Sequence, residues 1–317
     1  MSEFSLIKRY FTRATPGAVL GVGDDAALVS VSKGMELAIS TDMLVSGTHF
    51  FADADPYMLG HKALAVNVSD MAAMGAQPRW ATLAIALPGA NSAWLERFSA
   101  GFFALADAYQ VELIGGDTTQ GPLNLSVTIM GEVPQGMALR RDGAQPGDEI
   151  WVSGCVGDAA LALAHLQGKI VLDKESFTAT ASALHQPRPR VALGIALRGI
   201  AHSAIDVSDG LFADLGHILE RSAVAGEIQF EQLPVSTHLK PYMREALGQR
   251  CALAGGDDYE LCFTAPVNRH ADIEKLAAQL DLPLTCIGKI SAGTGCKVRT
   301  GDGSVMIITG GGYEHFA

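Results

Sequence analysis

Cysteine is scarce in this chain, and none of it is arranged for metal. The five residues Cys155, Cys251, Cys262, Cys286 and Cys296 make no C-x-x-C pair, which argues against a zinc site or a disulfide framework and for reduced thiols in a cytoplasmic setting. Long apolar runs are also missing. No window is long enough to span a bilayer, and the N-terminus MSEFSLIKRYF has neither the apolar core nor the cleavage site of a signal peptide. Positive charge is outnumbered: 23 Lys and Arg face 34 Asp and Glu, for a net charge of -11. Neither nucleic acid nor an anionic membrane is therefore an expected partner. The usual nucleotide motifs are absent as well. There is no G-x-x-x-x-G-K-[ST] loop, no protein-kinase catalytic loop and no G-x-G-x-x-G opening a helix. A G-x-S-x-G nucleophile elbow is lacking too.

What remains is a chain of 317 residues, 48% hydrophobic, with 35 glycines. That suits a two-domain α/β protein with sizeable cores. The clearest stretch is Asp55–Pro78. Asp55 before Pro56 reads as an N-cap with proline in the first turn, and Gly75 followed by Pro78 reads as a stop. Leu59, Ala63, Val66, Asp70 and Ala73 recur at helical spacing, which carries the Asp70 carboxylate onto an apolar face. There it requires a cation or a hydrogen-bonding partner.

In order, the pattern predicts a short helix over 4–13 with Phe4, Ile7 and Phe11 on one side. A turn at Gly21–Asp25 leads into a strand, AALVSV. Met35–Ser40 is a strand ending in Thr41-Asp42, with His49 in a loop beyond it. Strands at Trp80–Leu87, Val111–Ile114 and Leu123–Val133 flank a helix over 92–109. The Gly- and Pro-rich stretch Pro134–Asp148 marks a domain boundary, giving domains 1–136 and 137–317. Beyond it come a strand at Glu149–Val152 and helices at Asp158–Leu166 and Arg190–Gly199. A strand at Ala204–Val207 leads through Ser208-Asp209-Gly210 into a helix at Leu211–Glu220. Gly255-Gly256-Asp257-Asp258 precedes a strand at Tyr259–Thr264, a helix follows near 268–280, and a strand-like tail ends Gly310-Gly311-Gly312-Tyr313. Asn67-Val68-Ser69-Asp70 echoes Asp206-Val207-Ser208-Asp209; duplication and coincidence both account for it.

The chemistry lies in acidic turns: Asp24/Asp25, Asp42, Asp70, Asp117, Asp206/Asp209 and Asp257/Asp258. Singly, a Gly-Asp turn is ordinary loop chemistry. Gathered at strand ends, carboxylates repel unless a cation stands among them, and hard oxygen donors without His or Cys clusters select Mg²⁺. Neighbouring glycines let backbone N–H groups approach phosphate oxygens. The pattern points to a Mg²⁺-bridged polyphosphate such as ATP.

These turns sit in longer motifs. GVGDDAA, ISTDMLVSGTHF, KALAVNVSDMAAMGA, LIGGDTT, RRDGAQPGD, AIDVSDGL, GGDDYELCF and GGGYEHF together resemble the thiamine-monophosphate kinase family, nearly end to end and in the family's order. The resemblance implies a two-domain fold of the aminoimidazole-ribonucleotide synthetase group, α/β of α+β type. It implies homodimers formed through the N-terminal domain, with ATP between the domains of a chain. The implied activity is phosphorylation of thiamine phosphate by ATP with several Mg²⁺ ions, the last step to thiamine diphosphate. Implied metal ligands are Asp25, Ser40, Thr41, Asp42, Asp70, Asp117, Asp206 and Asp209. The ATP contacts are Gly116, Asp117, Arg141 and Ser208, and the thiamine-phosphate contacts are His49, Asp257 and Tyr313.

Two positions depart from the family pattern. Many relatives carry Glu at Asp257 and an aromatic residue at Ala100. The acceptor phosphate is already anionic near neutral pH, so no general base is expected, and metal-assisted in-line transfer needs no phosphoenzyme. Two alternatives share the acidic turns. One is a sister ATP-using enzyme of the fold group, although a selenophosphate synthetase is expected to carry an N-terminal reactive Cys or selenocysteine, and no Cys precedes Cys155. The other is a Mg-nucleotide binding protein without turnover.

Overall fold

A computed structural model describes residues 2–308 and 312–313. The chain divides into two units, one of Met1–Met71 with Ala76–Gly136, the other of Ala72–Gly75 with Met137–Ala317.

The first unit carries α1 (Glu3–Tyr10), β1 (Met35–Val45), α2 (Pro56–Ala73) except its last two residues, β2 (Gln77–Leu87), α3 (Ser92–Tyr109), β3 (Glu112–Gln120) and β4 (Asn124–Pro134). Its sheet runs β1-β4-β2-β3, antiparallel except for β2 with β3. α2 begins where the sequence indicates: the Asp55 carboxylate accepts the amides of Tyr57 and Met58 at 2.9 and 3.2 Å, satisfying N–H groups that a helix start leaves over. It is buried on nearly every side rather than on one stripe. α3 crosses it at glycines. A Cβ on Gly60 would stand 2.0 Å from Phe98 O and one on Gly101 1.9 Å from Tyr57 O, so the two backbones meet where no side chain fits. On the sheet side, Ser40 bonds to Asp70 of α2. The opposite side of β1 is exposed, with Ile39 at 60% and Met43 at 55%.

The second unit carries β5 (Asp148–Ser153), α4 (Asp158–Leu166), α5 (Lys174–His185), α6 (Val191–Ala196), β6 (Ser203–Asp206) and α7 (Leu211–Ser222). There follow β7 (Ala225–Gln229), α8 (Ala246–Ala254), β8 (Leu261–Pro266), α9 (His270–Leu280), β9 (Leu284–Ser291), β10 (Gly295–Arg299) and β11 (Val305–Met306). Its sheet runs β11-β10-β7-β9-β5-β8-β6, and only β7 with β10 is parallel. The core packs Ile150, Val152, Ile205, Leu215, Ile218, Ile228 and Ile287 between sheet and helices. Among the described residues no helix is long and apolar enough to cross a membrane.

Several sequence expectations are corrected. α1 buries Leu6 and Tyr10, while Phe4 is 80% exposed. AALVSV forms no strand; only an isolated bridge joins Leu20 to Leu28. Met35–Ser40 does not stop at Thr41-Asp42, because pairing with β4 carries β1 through to Val45. Likewise β3 runs straight through Gly115-Gly116-Asp117. The Asn67–Asp70 echo is no structural repeat: it lies mid-helix in α2, whereas Asp206–Asp209 is a strand end and a turn. Arg190–Gly199 is helical only over Val191–Ala196, and Tyr259 precedes β8 rather than starting it. α5, α8 and β7 were not foreseen. Of the tail, Gly310 and Gly311 lie outside the described residues.

Candidate functional site

In the first unit the sequence-indicated residues fall on β1, α2, β3 and two loops. The Ser40 hydroxyl donates to Asp70 Oδ2 at 2.6 Å, which supplies the partner that a half-buried helical carboxylate requires. One residue on, Thr41 Oγ1 and Thr128 Oγ1 of β4 lie 2.8 Å apart. The Asp42 amide donates to Asn67 Oδ1 of α2 at 3.1 Å. Thus Ser40, Asp42 and Asp70 gather where β1 meets α2. Asp117 does not join them. Its register row runs Asp117, Ala84, Ser126, Met43, so it occupies the edge strand opposite β1.

Beside Asp117, Gly116 has φ +150° and an added Cβ would lie 1.9 Å from Leu83 O; only glycine fits there. His49 is held by the Val45 amide, which donates to Nδ1 at 2.9 Å. In the neutral ring this leaves the proton on Nε2. Asp25 is exposed in a loop, its amide donating to Asp24 Oδ1 at 2.9 Å.

In the second unit five indicated residues share one corner. Asp206 ends β6 and is only 4% exposed. The turn after it holds Ser208 and Asp209. The Asp257 amide donates to Ser208 O at 2.8 Å, and the Tyr313 amide to Asp209 O at 3.2 Å. Arg141 is not brought to this corner. Its carbonyl accepts from Ser222 at the far end of α7, about 18 Å along a 12-residue helix.

Alternation along a strand does not govern the Asp257 segment, since Asp257 and Tyr259 both have left-handed φ, 70° and 50°. The Tyr259 hydroxyl donates to Asp257 Oδ1 at 3.2 Å. Asp258 and Glu260 turn inward. Asp258 Oδ2 accepts the Gly157 amide at 2.7 Å, and Glu260 takes both an Arg190 ion pair and the Ser153 hydroxyl. Burial pushes both carboxyls up; the Gly157 amide opposes this at Asp258, and Arg190 opposes it at Glu260.

A residue that the sequence reading missed is Asp214 in the first turn of α7, 2% exposed. Burial, followed by the nearby Asp206 and Asp209 carboxylates, pushes its carboxyl up to about 7. Its only sequence signal is an Asp one turn after Ser-Asp-Gly.

Among the described residues no group of three His, Cys, Asp or Glu side chains stands ready to hold a metal. The acidic corner fits Mg²⁺ in the way that ion is usually held, by one or two carboxylates with substrate phosphates and water. The Asp206 and Asp209 carboxylates stand close enough there to add, after burial, to the upward push on the Asp214 carboxyl. All five cysteines are free thiols, and Cys262 and Cys251 are buried.

A mixed α/β first unit and an acidic, glycine-lined set of strand and turn residues define a class. Residues 23–133 match the family model of the AIR synthase related protein, N-terminal domain. A thiamine-monophosphate kinase from Escherichia coli (strain K12) is 47% identical over 321 residues, covering 99% of this chain and 98% of that one. A crystal structure of thiamine-monophosphate kinase from Stenotrophomonas maltophilia K279a is 49% identical with a TM-score of 0.88, covering 96% of this chain and 98% of the other. AaThiL complexed with AMPPCP and TMP is 32% identical with a TM-score of 0.79, covering 99% and 96%. The chain belongs to the thiamine-monophosphate kinase family and is a kinase.

Proposed function

We propose that the chain transfers the γ-phosphoryl group of ATP to the phosphate of thiamine monophosphate, giving thiamine diphosphate and ADP by direct in-line displacement with Mg²⁺. The observation that carries this reading is near-full-length similarity to kinases of that name, together with a related protein that holds an ATP analogue and TMP. The metal ligands are Asp25, Ser40, Thr41, Asp42, Asp70 and Asp117 in the first unit, with Asp206 and Asp209 in the second. Gly116, Asp117, Arg141 and Ser208 bind nucleotide. Asp257, Tyr313 and His49 bind the acceptor.

Mg²⁺ supplies charge neutralisation between two anionic reactants. The chain's own residues do the rest. The exposed Tyr313 ring (48%) offers a face to a cationic heterocycle. Asp257 accepts a hydrogen bond from the acceptor molecule, and His49 Nε2–H donates toward a phosphate oxygen. Glycine at 116 lets backbone come close to a phosphate. No side chain is needed to remove a proton, because the acceptor phosphate is already ionised.

Residues 1–136 form the ATP, metal and dimerisation domain, and 137–317 the domain that completes the nucleotide and substrate contacts. The homodimer forms over the open face of the first sheet, whose exposed Ile39 and Met43 form an apolar surface suited to a second copy. The protein works in the cytoplasm. Incubation with ATP, Mg²⁺ and either thiamine or thiamine monophosphate tests the activity. ADP should appear only with the monophosphate. ATP binding without ADP release in the presence of either acceptor would overturn the reading, leaving a nucleotide-binding protein or a sister enzyme with a different acceptor.

A further inference from the structure

The Ser208–Gly210 turn uses its backbone on both sides. The amides of Ser208, Asp209 and Gly210 all donate to a single oxygen, Asp214 Oδ2, at 3.0, 3.1 and 3.0 Å. Its carbonyls face the other way: Ser208 O holds the Asp257 amide and Asp209 O holds the Tyr313 amide. These two facts are linked by peptide geometry. In a planar trans peptide the C=O of one residue points opposite to the N–H of the next. Turning the Asp209 N–H onto Asp214 therefore turns the Ser208 carbonyl toward Asp257. Turning the Gly210 N–H onto Asp214 likewise turns the Asp209 carbonyl toward Tyr313. Both incoming segments reach the turn through glycine. A Cβ on Gly256 would stand 2.3 Å from Ser208 O, and one on Gly312 2.7 Å from Ala213 Cβ.

We propose that Asp214 is a positioning residue for the acceptor substrate: by gathering three amides it orients the two carbonyls that fix Asp257 and Tyr313. At 2% exposure it is shut away from any ligand, so it acts through the turn. The inference rests on the reading that Asp257 and Tyr313 meet thiamine monophosphate. No cation or base among the described hydrogen bonds shares Asp214 Oδ2 with the amides, so the three N–H bonds are the role the geometry assigns it.

The test compares Asp214→Asn, which keeps an acceptor oxygen, with Asp214→Leu, which keeps the size and loses the acceptor. The measurements are the KM values for thiamine monophosphate and ATP, and the calorimetric Kd for thiamine monophosphate. Asp214→Leu should raise both the KM and the Kd for thiamine monophosphate about tenfold or more, and Asp214→Asn by about threefold or less. A residue that only stabilised the fold would lower the melting temperature and the active fraction, but would leave KM and Kd where they were. Folded Asp214→Leu enzyme with wild-type KM and Kd overturns the proposal, as does an Asn variant impaired as badly as Leu. If Asp214→Leu does not fold, Asp214→Ser, whose hydroxyl is too short to reach all three amides, takes its place with the same expected rise. Wild-type protein that turns over no thiamine monophosphate would instead overturn the functional reading on which this one stands.

Discussion

The Ser40 hydroxyl donates to Asp70 Oδ2 at 2.6 Å and ties the middle of β1 to the last turns of α2. A hydrogen bond to a carboxylate contributes about 1.5–3 kcal/mol, and here it serves a carboxylate that an apolar helix would otherwise leave poorly solvated. Ser40→Ala should lower unfolding stability in urea by about that amount and raise the Mg²⁺ concentration giving half-maximal turnover. Unchanged values of both would remove Ser40 from the site.

Asp42 and Asp117 stand on opposite edge strands, separated by β4 and β2. Three strand spacings put them about 14 Å apart across the sheet, so within this unit no single ion touches both. Each is expected to serve a separate contact. Asp42→Asn and Asp117→Asn should each cut kcat on the order of 10²-fold or more, the size expected for losing a metal-borne charge contact, while leaving the melting temperature within a few degrees of wild type. Chelation by EDTA should stop turnover in the unmodified protein. Near-normal kcat in either variant at saturating Mg²⁺ would exclude that residue.

Direct transfer has a stereochemical signature. With ATP chiral at the γ-phosphorus, one in-line displacement inverts configuration, and two displacements through a phosphoenzyme restore it. Inversion is the expected outcome. Retention, or a phosphorylated protein isolated after quenching, would reveal a covalent step.

Arg190 Nε donates to Glu260 Oε2 at 2.7 Å, a second guanidinium nitrogen meets Oε1, and Ser153 Oγ reaches the same carboxylate at 2.5 Å. Glu260 is 6% exposed. Removing Arg190 leaves the buried Glu260 carboxylate without its cation, at a cost of about 3–5 kcal/mol. Arg190→Ala should shift urea unfolding by that order. A loss below about 1 kcal/mol would show that the pair is solvent-relaxed.

The helices at Pro56–Ala73 and Ser92–Tyr109 were legible in the sequence because their signals are local: a cap, a proline, and apolar residues at helical spacing. The length of β1 and β3 was not. Ser-Thr-Asp and Gly-Gly-Asp read as turns by propensity, yet each lies inside a strand because its ladder partners on β4 and β2 continue. Those partners are distant in the sequence, so no window around Asp42 or Asp117 contains the reason. The same holds for the Asp257 segment. Its two left-handed residues break strand alternation, and the hydrogen bonds that settle them come from Val207 and Ser208. The acidic residues themselves were visible from composition and motif, but Asp214 was not, since its role exists only once three amides converge on it.

The Asp257 carboxylate carries the most specific expectation, because the resemblance to the family leads one to expect Glu at this position. The backbone there is fixed from one side by the Ser208 carbonyl, and the side chain is met by the Tyr259 hydroxyl at 3.2 Å. That bond is long for an O–H donor, so it steers the carboxylate only weakly. If Asp257 accepts a hydrogen bond from thiamine monophosphate, Asp257→Ala should raise the KM for that substrate about tenfold or more, with the KM for ATP nearly unchanged. Tyr259→Phe, which removes only the steering contact, should give a smaller rise in the same constant. Asp257→Glu should remain active: the extra methylene extends the carboxylate beyond the Tyr259 hydroxyl while keeping the charge and both acceptor oxygens. Weakened ATP or Mg²⁺ dependence in Asp257→Ala, with thiamine monophosphate unaffected, would instead move this carboxylate to the metal ligands.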